Sequence, residues 1–203
     1  MGGGSGFDRA TALLERGNAA AAHTGFLCIA SQGPGYEIAW HSAGMASLSM
    51  ADAASPEAGV ADGLRDRGLL ELITAANAGW PASQAELAMA FAARGDEAGL
   101  ERAAYWLAVL DANPRDLALG LERIPVARRV VIESSIGPDR LAAGEQEAGD
   151  FRLQPLERQE SELSCQPWLV EARRPQGRGN GDGPRGGRGG RRGGGGGRRG
   201  PGG

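Results

Sequence analysis

Nine arginines fall after Ala172 against a single acid, Asp182, the densest set of chemically capable side chains in this 203-residue chain. Arg178, Arg185, Arg188, Arg191, Arg192, Arg198 and Arg199 stand among glycines, and Arg185, Arg188 and Arg192 each open an Arg-Gly-Gly triplet. A guanidinium presents a planar fork of N–H donors that meets phosphate oxygens in pairs and stacks on exposed bases. These seven arginines are the expected nucleic-acid contacts. The segment holds no Phe, Tyr or Trp, so it lacks an aromatic platform for bases and should bind with little sequence preference.

The other candidates for chemistry fail on spacing. His23 and His41 are not placed with Cys, Asp or Glu as metal ligation requires; Cys28 follows His23 by five residues, off the same helix face. The run from Asp111 to Glu122 imitates a calcium loop at its first, third and last positions. Arg115, however, stands where a ligand oxygen belongs and Asp116 where glycine must turn, so helix caps explain it better. Ser47, Ser134 and Ser135 lack a G-x-S-x-G setting. Glu145, Glu147 and Asp150 fit a solvated acidic face. No catalytic residue, metal or cofactor is expected, and the chain is expected not to be an enzyme. An enzymatic alternative requires folding to bring distant acids and His23 or His41 into one pocket.

All 22 basic residues are arginine, so the choice of Arg over Lys in the tail carries no information, whereas the clustering does. The net charge of −3 conceals a split: 13 Arg against 24 acids through Ala172, a balance of −11, and 9 Arg against one acid afterwards, a balance of +8. An acidic body with a basic arm is the pattern of interaction tails. The expected division is a flexible Gly-rich start at 1–6, an acidic helical domain at 7–172 and a disordered Arg/Gly tail at 173–203. Two cysteines, Cys28 and Cys165, are too few for a disulfide framework and form no CxxC pair. The start lacks the basic flank and apolar run of a secretory leader, and no segment approaches 18 apolar residues. An intracellular protein without membrane contact follows, cytoplasmic, with the nucleus as the alternative.

Apolar periodicity places these residues on helices. Ser5 with Asp8 starts one that ends at Gly17, and Asn18 caps a second, which stops at Gly33-Pro34-Gly35. A third runs from Tyr36 to about Ala54. Ser55-Pro56-Glu57 restarts the chain, with Gly59, Gly63 and Gly68 keeping that helix short. The stretch 69–121 is the richest in large apolar residues and should form a helical hairpin or trio. In it Ser83 and Glu86 form a capping box, Gly95 ends the helix and Asp96 caps the next. Beyond Pro125, alternation at Val126, Arg128, Val130 and Ile132, and at Phe151 and Leu153, with a short run at Trp168-Leu169-Val170, allows either a small β element or irregular segments and short helices. The fold class expected is mainly α, a helical bundle or a short helical-repeat array.

Between Gly79 and Leu107 the chain reads GWPASQAELAMAFAARGDEAGLERAAYWL. Gly79, Gln84, Leu87, Phe91 and Gly95, followed by Ala103, Trp106 and Leu107, resemble one divergent unit of the tetratricopeptide superfamily, nearest its Sel-one-like branch. Ala88 replaces that family's usual Gly, and the segment from Gly95 to Ala103 is shorter than its loop. The resemblance implies a helix pair of a repeat array and a protein-binding surface. The tail resembles the RGG boxes of RNA-binding and condensate-forming proteins. Together they imply a non-enzymatic nucleic-acid-binding adaptor or scaffold, with RNA or another single strand on the tail and a protein, or a second copy, on the body. One alternative is a self-assembling nucleoprotein, capsid-like or genome-coating, whose arm packages nucleic acid. Another is a purely protein-binding helical-repeat adaptor. The arm has two further readings, an electrostatic lid over its own body and an inert extension.

Overall fold

Local capping chemistry starts several of the helices. In the computed structural model, which describes residues 5–54, 59–119, 122–159 and 165–169, α1 (Gly6–Glu15) opens at Ser5. Its hydroxyl accepts from the Asp8 N–H while the Asp8 carboxylate accepts from the Ser5 N–H, the expected reciprocal pair. Asn18 caps α2 (Ala19–Ala30) through the Ala21 N–H. After α3 (Glu37–Ala53) and α4 (Val60–Asn77), α5 (Pro81–Arg94) ends on Gly95 at φ 67°, a left-handed conformation that suits glycine. Asp96 then caps α6 (Glu97–Asp111) through the Gly99 N–H at 2.6 Å. The remaining helices are α7 (Pro114–Leu119), α8 (Val126–Ile136), α9 (Pro138–Ala148) and the single turn α10 (Gln166–Leu169). The fold is mainly α. The expected restart at Ser55-Pro56-Glu57, Leu121 at the end of the apolar stretch, Val170 and the tail from Arg173 lie outside the described residues.

The chain divides into two units, Met1–Ala172 and Arg173–Gly203. Within the first, helices pack in chain order, α1 on α2 through α5 on α6, and α8 and α9 then cover α6. The main core joins Leu72, Leu87, Phe91, Trp106, Leu107 and Leu110 to Ile132 and Ile136. A smaller core of Ala10, Ala22, Phe26, Ala43 and Ala46 lies among α1, α2 and α3.

Three local expectations are corrected. Gly63 and Gly68 do not shorten α4, which runs unbroken for 18 residues. Gly68 faces Gly44 of α3: a Cβ on Gly44 would lie 2.9 Å from the Gly68 carbonyl oxygen and 2.8 Å from Leu72 Cγ, and one on Gly68 would lie 3.0 Å from the Gly44 carbonyl oxygen. These glycines let two helix backbones touch, a tertiary gain that outweighs their weak helix propensity. Ser83 is not a cap. Pro81, with its φ already fixed, starts α5 three residues before a Ser83 cap would, and the Ser83 hydroxyl is buried against His41 Nδ1 at 3.0 Å.

The β element after residue 125 is absent among the described residues. Val126–Ile136 is helical, so Ile132 and Ile136 fall on one buried face and Arg129 pairs with Glu133 one turn on. Phe151 and Leu153 lie in chain without regular secondary structure, tied to the body by the Gln154 N–H to the Asn77 carbonyl at 2.9 Å. A short apolar run has no period strong enough to separate the two structures. Glu145 and Glu147, expected on a solvated acidic face, lie exposed on α9, which packs on α6 through its other side.

The glycine contact gives a paired expectation. Gly44→Ala should lower the unfolding free energy by about 1–3 kcal/mol through overpacking. Gly63→Ala, exposed in α4 with nothing within 4 Å of the added Cβ, should raise it by about 0.5–1 kcal/mol. Urea unfolding of both variants measures the two effects.

Candidate functional site

The seven arginines expected to contact nucleic acid, Arg178, Arg185, Arg188, Arg191, Arg192, Arg198 and Arg199, lie outside the described residues. Within the body, folding does bring one histidine to a distant acid. His23 of α2 sits with Nε2 2.7 Å from Glu71 Oε1 of α4, and Ser47 of α3 donates to Glu71 Oε2 at 2.7 Å. Arg67, one turn before Glu71, donates to the same Oε1 at 3.1 Å.

Serine, histidine and carboxylate together suggest nucleophilic catalysis, but the order of bonds does not support it. A triad needs the histidine between the serine and the acid, to take the hydroxyl proton. Here the carboxylate is in the middle and each partner bonds to it. His23 is 5% exposed, Ser47 0% and Glu71 6%, so a substrate has no access. The cluster is a polar tie joining three helices. Burial pushes the Glu71 carboxyl up, but the bonds from His23 and Ser47 and the nearby charges of His23 and Arg67 outweigh it, holding the pKa below the usual value.

Two further ties lie beneath α5. His41 bonds Ser83, and burial, with Arg123 nearby, drives the imidazole pKa down to about 4. Gln84 donates to the Ala76 carbonyl at 3.0 Å and accepts from Asn113 Nδ2 at 2.7 Å; the same Asn113 amide reaches the Gly79 carbonyl at 3.2 Å. Two carboxylates of the imitation calcium loop are taken by arginines, Asp111 by Arg129 and Asp116 by Arg123.

The chain matches no family model, no curated protein and no solved structure.

Sequence reasoning missed a covalent feature. Cys28 of α2 and Cys165 are disulfide-bonded across a separation of 137 residues. Where no framework was expected, a single bridge fixes the segment that leads to the tail. Trp168 packs over Gly25, where a Cβ would come within 2.6 Å of the ring. Arg9 stacks on that ring, 4.5 Å from its centroid, and donates to the Pro167 carbonyl. The even cysteine count was the only sequence signal, and it names no geometry.

The body surface also carries several recesses, of which two differ sharply in character. One, of about 540 Å³, is acidic and is lined by Glu97, Glu101, Asp139 and Glu147 with Arg140. The other, of about 590 Å³, is mainly apolar and has Arg115 and Arg152 on its lining.

Two outcomes follow. Opening the bridge, by reduction or by Cys28→Ser, should lower stability by about 2–5 kcal/mol, because it frees a long loop in the unfolded chain; denaturant titration with and without reductant reads this. His41 titrates lower in the folded chain, so the unfolded chain takes up more protons. Its contribution is complete above its ordinary value of 6.5 and is lost as pH falls towards about 4. His41→Gln should flatten the stability profile between those pH values; Glu71 acts from its ordinary value of 4.5 downwards and so overlaps only the acid end of that window.

Proposed function

We propose that this chain is a non-enzymatic adaptor or scaffold in which the Arg/Gly tail grips RNA or another single-stranded nucleic acid and the helical body contacts protein. The observation that carries the reading is the charge split, −11 through Ala172 and +8 from Arg173. Phosphate neutralisation by arginine releases counterions and needs no fixed backbone geometry, so a glycine-rich arm suffices. Arg178, Arg185, Arg188, Arg191, Arg192, Arg198 and Arg199 are the proposed contacts. The buried, carboxylate-centred arrangement of His23, Ser47 and Glu71 supports the non-enzymatic part.

The α5–α6 hairpin, with its Gly95 turn, and the packing of successive helices in chain order support reading Gly79–Leu107 as a divergent repeat unit with a protein-binding role. On α8, Val126, Val130 and Val131 point outward, 60%, 56% and 64% exposed. This apolar face favours a second reading, a self-assembling nucleoprotein in which bodies join through α8. Sizing of Val130→Glu beside the unchanged chain separates the two: loss of a large assembly supports the second, and a small species in both supports the first.

No helix among the described residues is long and apolar enough to cross a membrane. The cytoplasmic or nuclear placement is part of the proposal and stands in tension with the Cys28–Cys165 bond, since such bonds persist in oxidising compartments and are rare in the cytosol. In a reducing cytoplasm the two sulfurs would be thiols, and the Trp168 and Arg9 contacts would remain to hold the segment.

The test is a titration of single-stranded RNA with the full chain and with a chain ending at Ala172, over several salt concentrations. If about 5–8 phosphates are neutralised, log affinity should fall against log salt with a slope of about −4 to −6. The truncated chain should bind weakly or not at all. Equal binding by both chains, or a flat salt response, removes the tail from the mechanism.

A further inference from the structure

The recess of about 590 Å³ lies where the start of α5, the end of α6, the start of α7 and the chain after α9 meet. Val109, Ala112 and Phe151 supply apolar wall, and Leu153 closes one side while remaining 61% exposed. Its floor is rigid before any ligand arrives. The Asn113 amide is spent on Gly79 and Gln84, its carbonyl oxygen accepts from the Arg115 N–H at 2.9 Å, and the Gln84 amide is spent on Ala76. The Phe151 ring meets Trp106 edge-on at 6.5 Å, and the Gln154 N–H fastens the strap to Asn77. With its amides already bonded internally, the recess has mainly apolar contact to offer inside.

Charge supplies the second half. The body is strongly acidic, with 13 Arg against 24 acids through Ala172. Asp111 and Asp116, the carboxylates closest in sequence to Arg115, are taken by Arg129 and Arg123. Arg115 and Arg152 both line the recess, both are exposed, and neither has a carboxylate partner among the described residues. Arg152 is instead held by its own backbone, donating to the Gly149 and Phe151 carbonyls at 3.2 and 2.8 Å. Two uncompensated guanidinium groups beside an apolar hollow are the complement of a molecule with an apolar body and an anionic end. The geometry points to a binding site for a small amphipathic carboxylate, its hydrocarbon part against Val109, Phe151 and Leu153 and its carboxylate between Arg115 and Arg152. This site is separate from the tail and does not depend on nucleic-acid binding.

Calorimetric titration of the full chain with decanoate tests it, with decanol as the uncharged counterpart. Decanoate should bind saturably at one site and decanol at least about ten-fold more weakly, the loss expected when charge-assisted hydrogen bonds are removed. The double variant Arg115→Gln/Arg152→Gln should weaken decanoate by a similar factor. Leu153→Asp, at a position 61% exposed, should weaken it as much, with the far-ultraviolet circular dichroism unchanged in both variants. Absence of saturable binding overturns the proposal, as does equal affinity for decanol. Decanoate held by the tail arginines would keep its affinity in Leu153→Asp, and that result overturns the proposal too.

Discussion

The contact on which this body depends is the backbone-to-backbone approach of α3 and α4 at Gly44 and Gly68. The chain has few aromatic residues, 5% of its composition, and so cannot fill wide gaps between helices with large side chains. It closes the gaps instead. Ala39, Ala43, Ala46 and Ala51 are buried along α3, and Leu72 lies beside Gly44. Gly144 of α9 sits on Ala104 of α6 in the same manner. Close approach of this kind gains dispersion over many small atoms, and it tolerates little added volume.

Such surfaces pack tightly but specify register weakly, because one alanine face resembles another. The buried polar ties supply what they lack. Glu71 accepts from Ser47 and meets His23, so α2, α3 and α4 share one carboxylate whose bonds are made in a single register. Gln84 and Asn113 act likewise between α5 and the end of α6. A buried carboxylate left without partners would cost several kcal/mol, so misregistered packings are disfavoured. The disulfide and the Trp168 seat extend the same logic to the C-terminal end of the body.

What could be read from the sequence was what neighbouring residues decide. The Ser5–Asp8 pair, the Asn18 and Asp96 caps and the Gly95 turn are complete within four residues, and each is found where its pattern stands. Gly68 was misread as a breaker because its purpose lies on another helix. Val126, Val130 and Ile132 fall at even positions, as on one face of a strand, and only the burial of Ile132 and Ile136 together decides the matter. Cys28 and Cys165 lie 137 residues apart, and the apolar recess is assembled from three distant stretches around Gln84, Asn113 and Phe151. No local pattern encodes such meetings. The tail arginines are the opposite case, a signal of composition that needs no fold to be seen.

Native-state hydrogen exchange followed residue by residue tests the keystone role of the α3–α4 contact most directly. Amides from Ala43 to Leu48 and from Gly68 to Ala76 should exchange only through global unfolding, matching the slowest amides of α5 and α6 as denaturant is added. Exchange of α3 and α4 through a separate, lower-energy opening, while α5 and α6 stay protected, would contradict it.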